Sequence, residues 1–189
     1  MDKDYSIHFE TTFETESGMY DGEIDENGLC SGHGKFTYKN GDVYVGEWLG
    51  GVRHGKGKMT YSDGYFDGEW KHGVREGYGV DSFSNGFRYE GEFSCDLWHG
   101  KGREIYPDGT YFEGEYKFGK KDGLIKHVFK GGSQESFYVQ GLRQGKSKAI
   151  WLSGLKMEGS YKDDKLHGTV VWQDGDKIVK EEWLDGERV

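Results

Sequence analysis

Proline occurs once in these 189 residues and cysteine twice, and no stretch approaches the ~18 consecutive apolar residues of a membrane helix. A single proline excludes collagen and proline-rich linkers. Cys30 and Cys95 lie far apart with no CxxC pair, which excludes a disulfide framework and a thiolate metal site; both are read as reduced thiols. The opening MDKDYSIHFE is acidic and lacks a secretory apolar stretch, so a cytosolic or nuclear protein is expected. With a formal net charge of −9, no nucleic-acid partner is expected. What abounds is glycine, 33 residues or about one in six against a usual ~7%. Aromatic residues make up 16% of the chain, including 6 Trp and 13 Tyr. Chains too polar to order themselves lack such rings. Glycine here punctuates a folded chain, one without a thick core.

The glycines repeat. Gly32, Gly55, Gly77, Gly100, Gly123, Gly145 and Gly168 step by 22 or 23 residues. In phase with them run Tyr20, Tyr44, Phe66, Tyr89, Phe112, Gln134, Met157 and Val179, and four residues on Ile24, Trp48, Trp70, Phe93, Tyr116, Tyr138, Tyr161 and Trp183. Between the two columns stand Gly22, Gly46, Gly68, Gly91, Gly114, Ser136, Gly159 and Glu181. Each repeat thus opens aromatic, x, glycine, usually glutamate, aromatic. After the phasing glycine a second strand is expected, as in GKGKMTYSDG from Gly55, closing on a turn such as Asn40-Gly41, Asp63-Gly64 or Asp108-Gly109. Nothing has helical periodicity. Two strands per repeat give an antiparallel meander of about 16 strands.

Side chains two apart on a strand share a face, so Tyr44, Gly46 and Trp48 point one way and Val45 and Glu47 the other. One face is aromatic and one charged. On the aromatic face a ring from a neighbouring strand is expected to lie flat on the strand glycines, in place of a second layer. On the charged face Glu23, Glu47, Glu69, Glu92, Glu115 and Glu182 are expected to pair across strands with Lys35, Lys58, Arg103, Lys126 and Lys148.

YVGEWLGGVRHGKGKMTYSDG (Tyr44 to Gly64) and YEGEFSCDLWHGKGREIYPDG (Tyr89 to Gly109) resemble MORN repeats, whose pattern is YxGEW, then HGxG, then a DG turn. The resemblance covers Tyr20 to Val189. It implies an all-β, elongated, twisted single-layer antiparallel sheet of tandem hairpins, and a part in assembling or targeting other proteins in cilia, flagella, the cytoskeleton or at membranes. It also implies an alternative, since such repeats accompany enzymes and could serve a lysine-methyltransferase or lipid-kinase system. The sixth repeat (Gln134 to Gly154) departs from the pattern at Gln134, Ser136 and Phe137. The expected organisation is a capping strand in residues 1–19 and a repeat domain in 20–189, with seven repeats and a final half.

Charge is uneven: residues 1–116 carry net −12 and residues 117–180 net +6. The basic part holds Lys117, Lys120, Lys121, Lys126, Lys130, Arg143, Lys146 and Lys148, a candidate dock for an acidic partner or an anionic, phosphoinositide-bearing membrane. On the aromatic face the fourth residue past each phasing glycine varies (Phe36, Met59, Asp81, Glu104, His127, Ala149, Trp172), as a specificity column in a groove would, unless bulges turn it outward.

Catalytic chemistry finds no support. GGVRHGK (Gly50 to Lys56) and GLRQGKS (Gly141 to Ser147) imitate a phosphate loop, but the first continues with Gly57 in place of Ser or Thr, the second is one residue short, and neither opens a helix. His54, His99 and His167 recur beside the phasing glycine in separate repeats, which marks a turn rather than a metal site. No cofactor, metal or catalytic residue is assigned. The expected function is that of a non-enzymatic scaffold holding an elongated or helical segment of a partner protein. Its candidate anchors are Tyr44, Trp48, Tyr61, Phe66, Trp70, Tyr89, Phe93, Tyr106, Phe112 and Tyr116. Exposed sheet edges offer a route to a homodimer. A cytoplasmic site, at a cilium, flagellum or cytoskeletal assembly, follows from the resemblance alone.

Overall fold

The computed structural model describes residues 9–189. It divides into two compact halves at Asp96 and Leu97. In the first, β1 (Phe9–Glu14), β2 (Gly18–Ile24), β3 (Cys30–Tyr38), β4 (Val43–Leu49), β5 (Val52–Tyr61), β6 (Gly64–Lys71), β7 (Val74–Phe83) and β8 (Arg88–Ser94) each pair antiparallel with the next. The second half continues with β9 (Leu97–Ile105), β10 (Tyr111–Lys117), β11 (Lys120–Phe129), β12 (Gly132–Val139), β13 (Leu142–Trp151) and β14 (Lys156–Lys162). It ends in β15 (Lys165–Leu166), β16 (Gly168–Asp174), β17 (Lys177–Leu184) and β18 (Glu187–Arg188), again antiparallel throughout. No helix occurs among the described residues, and each half is an open single-layer sheet of tandem hairpins. The two strands beyond the expected 16 are short: β15 is severed from β16 at His167, and β18 spans two residues. Of the expected capping segment, residues 1–8 lie outside the described residues; from Phe9 onward it forms β1 against β2.

The hairpin turn does not fall where the phasing glycine suggested. Second strands begin earlier, β5 at Val52 instead of Gly55, and the turn is the dipeptide just before them. Gly50-Gly51, His72-Gly73, Cys95-Asp96, Phe118-Gly119, Gln140-Gly141 and Asp163-Asp164 all have positive φ at both residues. That is the two-residue hairpin geometry whose twist matches the flanking strands. Successive turns are also tied together. Gly51, Gly73 and Asp96 donate their N–H groups to the carbonyls of Cys30, Arg53 and Arg75, and Gly119, Gly141, Asp164 and Gly186 to those of Trp98, Lys121, Arg143 and Leu166, at 2.8–3.1 Å.

The phasing glycine is instead a bulge inside the second strand. Register slips between Gly46 and Glu47, and Gly55 takes φ +54. The Glu47 carboxylate folds over it: a Cβ on Gly55 would lie 2.4 Å from Glu47 Oε2, while Oε1 accepts the Lys56 N–H at 2.8 Å. Glu23 does the same at Gly32, accepting from His33 N at 2.9 Å. These glutamates were expected to pair with cross-strand cations, and that expectation is corrected. The residue before the strand glycine fills that role, since Lys35 faces Asp21, Lys58 faces Asp67 and Arg103 faces Glu113.

The aromatic face has the expected ring-on-glycine packing, on a more continuous floor than one glycine column provides. Gly22, Gly34, Gly46, Gly57, Gly68, Gly79 and Gly91 are register partners in sequence from β2 to β8. With no side chain in that row, rings drop onto the backbone. A Cβ on Gly57 would meet the Tyr44 hydroxyl oxygen at 2.1 Å and its Cζ at 2.4 Å, and one on Gly79 the Phe66 ring at 2.4 Å. Trp48 and Trp70 lie over the same floor and donate their indole N–H groups to the Gly34 and Gly57 carbonyls at 3.2 and 2.9 Å. Tyr20, Trp48, Tyr44, Trp70, Phe66, Phe93 and Tyr89 then meet edge to face at 5.0–5.4 Å in an unbroken chain. Each such contact adds about 0.5–1.5 kcal/mol to the area it buries.

Gly57→Ala is therefore expected to destabilise by about 1–3 kcal/mol, as overpacking does, whereas Gly131→Ala, whose Cβ would find only ordinary contact with Phe129, should be near neutral in urea unfolding. Glu47→Ala should cost about 1 kcal/mol for the lost charge-assisted bond to a backbone N–H; an unchanged midpoint would show that the bulge needs no carboxylate.

Candidate protein-interaction surface

The structure places the ten candidate rings in two classes. Tyr44, Trp48, Phe66, Trp70, Tyr89, Phe93 and Tyr116 are between 0% and 7% exposed. They form the core itself, and their hydroxyls are engaged within it: Tyr44 donates to the Glu47 carbonyl at 3.0 Å and Tyr89 to that of Glu92 at 3.1 Å. Burial pushes the Tyr44 hydroxyl far above its ordinary range. Phe112 is half-buried, and Tyr61 and Tyr106 are each 36% exposed. The last two belong to a further row, six residues past the phasing glycine. It comprises Tyr38, Tyr61 and Phe83 in the first half and Tyr106, Phe129 and Trp151 in the second, none of them fully buried. This row shares the ring face, being two residues along the same strands from Phe36, Met59 and Asp81.

The variable column also lies on the ring face, opposite the opening rings: Met59 pairs with Tyr44 and Phe66, and Asp81 with Phe66 and Tyr89. Bulges do not turn it outward. Phe36, Met59, Asp81, Glu104 and Ala149 are nevertheless buried, so most of the column packs the interior. Its two acids are held by cations. Arg75 donates to both Asp81 oxygens at 2.9 and 3.0 Å, and Lys121 Nζ to both Glu104 oxygens at 2.7 and 2.8 Å. Burial, reinforced by the Glu104 carboxylate that its hydroxyl touches at 3.1 Å, pushes Tyr106 up to about 12.

The basic residues do not make one face. Lys121 and Arg143 lie on the ring face, Lys121 over Phe112 at 4.3 Å and Arg143 over Tyr161 at 4.1 Å. Arg143 also fastens the next hairpin turn, donating to Asp164 Oδ1 at 2.9 Å and to its carbonyl at 3.1 Å. On the charged face Arg103, Glu113, Lys126, Glu135, Lys148 and Glu158 are consecutive register partners, so Lys126 and Lys148 stand in a ladder of alternating sign. Lys117, Lys120, Lys130 and Lys146 are exposed.

The repeat model for MORN repeats matches residues 20–43, 44–64, 66–88, 89–111, 112–124 and 158–177, about two thirds of the chain. The chain belongs to the MORN-repeat family. Among solved structures it is similar to the G-box domain of the microcephaly protein CPAP, for which a role in centriole elongation is suggested, at 14% identity and TM-score 0.49 over 93% of this chain and 100% of that one. It is also similar to the wild-type TCP10 domain of Danio rerio CPAP, at 15% identity and TM-score 0.34 over 89% and 97%. Neither likeness bears on function.

The MORN matches skip residues 125–157, and there the glycine floor gives out. After Gly102 and Gly114 the row continues as Ile125, Ser136 and Ser147 before returning to Gly159. Ile125, fully buried, fills the space a ring would cover, and Phe112 stacks on His127 instead, at 4.0 Å and 4°. Gln134 donates to Ser147 Oγ at 2.9 Å and to the Tyr161 hydroxyl at 3.2 Å, while the Ser136 and Ser147 hydroxyls meet at 2.7 Å. A hydrogen-bonded interior thus replaces ring on glycine. Gln134 and Ser136 signalled the change in sequence; Ile125 and Ser147 were missed because the second glycine of HGxG was not followed as a column.

Burial, and then the charges of Lys121 and Arg143, hold His127 below the ordinary imidazole value of 6.5. The unfolded chain therefore takes up this proton first as pH falls. The contribution of His127 to stability is complete above that value and is lost as pH drops from it through the folded-state pKa. Thermal melts between about pH 7.5 and about pH 5.5 should show a shallower decline for His127→Gln than for the parent; equal slopes would sink the assignment.

Proposed function

We propose that this MORN-repeat chain is a non-enzymatic scaffold that holds an elongated segment of a partner protein along its ring face. The observation that carries the reading is the half-covered row Tyr38, Tyr61 and Phe83, the part of that face which the rings do not use to cover their own backbone. Large rings on a rigid support lose little entropy on binding and dominate interface energies. These three sit on every second strand, hence about 9–10 Å apart at ~4.8 Å per strand. A helix presents a residue every seventh position at about 10.5 Å, and a polyproline II segment every third at about 9.3 Å, so either can seat an apolar side chain beside each ring. The net −12 of residues 1–116 favours basic residues between those anchors.

The deeply buried anchors Tyr44, Phe66 and Tyr89 serve this function indirectly, as the platform. The location proposed for such a scaffold is the cytoplasm, at a cilium, flagellum or cytoskeletal assembly, and proximity labelling in cells tests it. A membrane-targeting role has less support, since the cations expected to carry it are divided between two faces and several face carboxylates. The decisive experiment compares partner recovery by the parent with that by Y38S/Y61S/F83S. The triple variant should keep its circular dichroism and melting behaviour and lose at least about tenfold in affinity. Full recovery by it would refute the ring-face reading, and Tyr44→Ser, a core change, should instead lower stability.

A further inference from the structure

On the charged face one row joins the residue after each phasing glycine to the acidic position of the next repeat. His33 faces Glu47, Lys56 faces Glu69 and Tyr78 faces Glu92 in the first half; Lys101 faces Glu115 and Thr169 faces Glu182 in the second. Where the fifth repeat meets the sixth both partners change together, and Leu124 faces Phe137. They are 58% and 48% exposed. Val139, two residues along from Phe137, and Leu142, its register partner, extend the patch at 45% and 44%. Folding does not favour the exchange. Exposed cross-strand pairs of opposite charge and of apolar residues stabilise a sheet to similar extents. The bulge at Gly145, which keeps φ +69, also loses its carboxylate cover: nothing lies within 4 Å of where its Cβ would be. Four contiguous exposed apolar side chains, set where other repeats carry the glutamate position, mark an interaction site.

The rim identifies the occupant. Lys117 and Lys120 are register partners at the adjoining turn, and the Lys120 stem reaches the Gly141 turn that follows Val139. Lys146 emerges on the other side, opposite Ser160 where other repeats offer glutamate. The nearby acids are engaged, Asp122 by the Gln140 N–H and Glu135 in register between Lys126 and Lys148. We propose that the patch of Leu124, Phe137, Val139 and Leu142 docks an acidic segment of a partner protein in which apolar side chains are set among Asp and Glu. Apolar anchors would cover Phe137 and Leu124 while the carboxylates meet Lys117, Lys120 and Lys146. This site is on the charged face of the second half, shares no residue with the Tyr38, Tyr61 and Phe83 row, and stands without it.

The test uses the full chain and a fluorescein-labelled peptide of about four Leu-Asp-Phe-Glu repeats, followed by fluorescence anisotropy. L124K/F137E installs the charged pair found at Lys56 with Glu69 and Lys101 with Glu115, so it should fold as the parent does, yet bind at least about tenfold more weakly. K117E/K120E/K146E should lose a similar factor, and binding to the parent should fall as salt is raised from about 50 to about 300 mM. Y38S/Y61S/F83S should bind this peptide as the parent does, which separates failure here from failure of the ring-face scaffold. The proposal is overturned by equal binding to L124K/F137E, or by equal binding of a peptide with serine for leucine and phenylalanine. A Phe137-dependent dimer in sedimentation would assign the patch to a second copy, and Phe137-dependent flotation with phosphatidylserine vesicles without peptide binding would assign it to lipid; either also overturns it.

Discussion

An aromatic ring lying flat on a strand glycine is the contact from which the rest of this MORN-repeat chain follows. A single antiparallel layer has no opposing sheet or helix to shelter its apolar face, so the shelter must come from the layer itself. Deleting side chains from a whole row, Gly22 to Gly91, opens a trough one residue wide. Tyr20, Tyr44 and Phe66 fall into it and reach complete burial. The cost of glycine in a strand, its greater loss of backbone freedom, is offset because the ring removes both its own surface and the exposed backbone from water. A ring so used is no longer available to a partner. This is why the most regular aromatic columns form the platform and the less covered Tyr38, Tyr61 and Phe83 row carries the proposed recognition.

Two further devices carry the repeat along the chain. Glu23, Glu47, Glu69 and Glu115 each cover the bulge of the neighbouring strand, and the tight turns donate backbone hydrogen bonds to the strands that leave the preceding turns. Both reach only to adjacent strands, as expected where stability is a sum of nearest-neighbour terms. That locality explains how the sixth repeat tolerates so much change. Ile125, Ser136, Ser147 and Gln134 rebuild its interior with an aliphatic side chain and hydroxyl hydrogen bonds, while the turn at Gln140-Gly141 and the bulge at Gly145 keep the phase. Freed from covering a bulge, position 137 faces solvent as phenylalanine.

Sequence alone determined the antiparallel order, the 22 to 23 residue phase and the division into an aromatic and a charged face. Each follows from short-range rules, a period of two along a strand and a turn dipeptide, that leave their mark within one repeat. Tertiary structure decided which of two glycines is a turn and which a bulge, because hairpin turns here accept Cys95, Phe118 and Gln140 at positive φ and so carry no constant residue. It also decided which carboxylates meet cations and which meet backbone N–H groups, since a bulge shifts the partner by one residue. And it decided exposure: whether a ring is floor, wall or open surface depends on the neighbouring strand's side chains, and only their packing in three dimensions settles that.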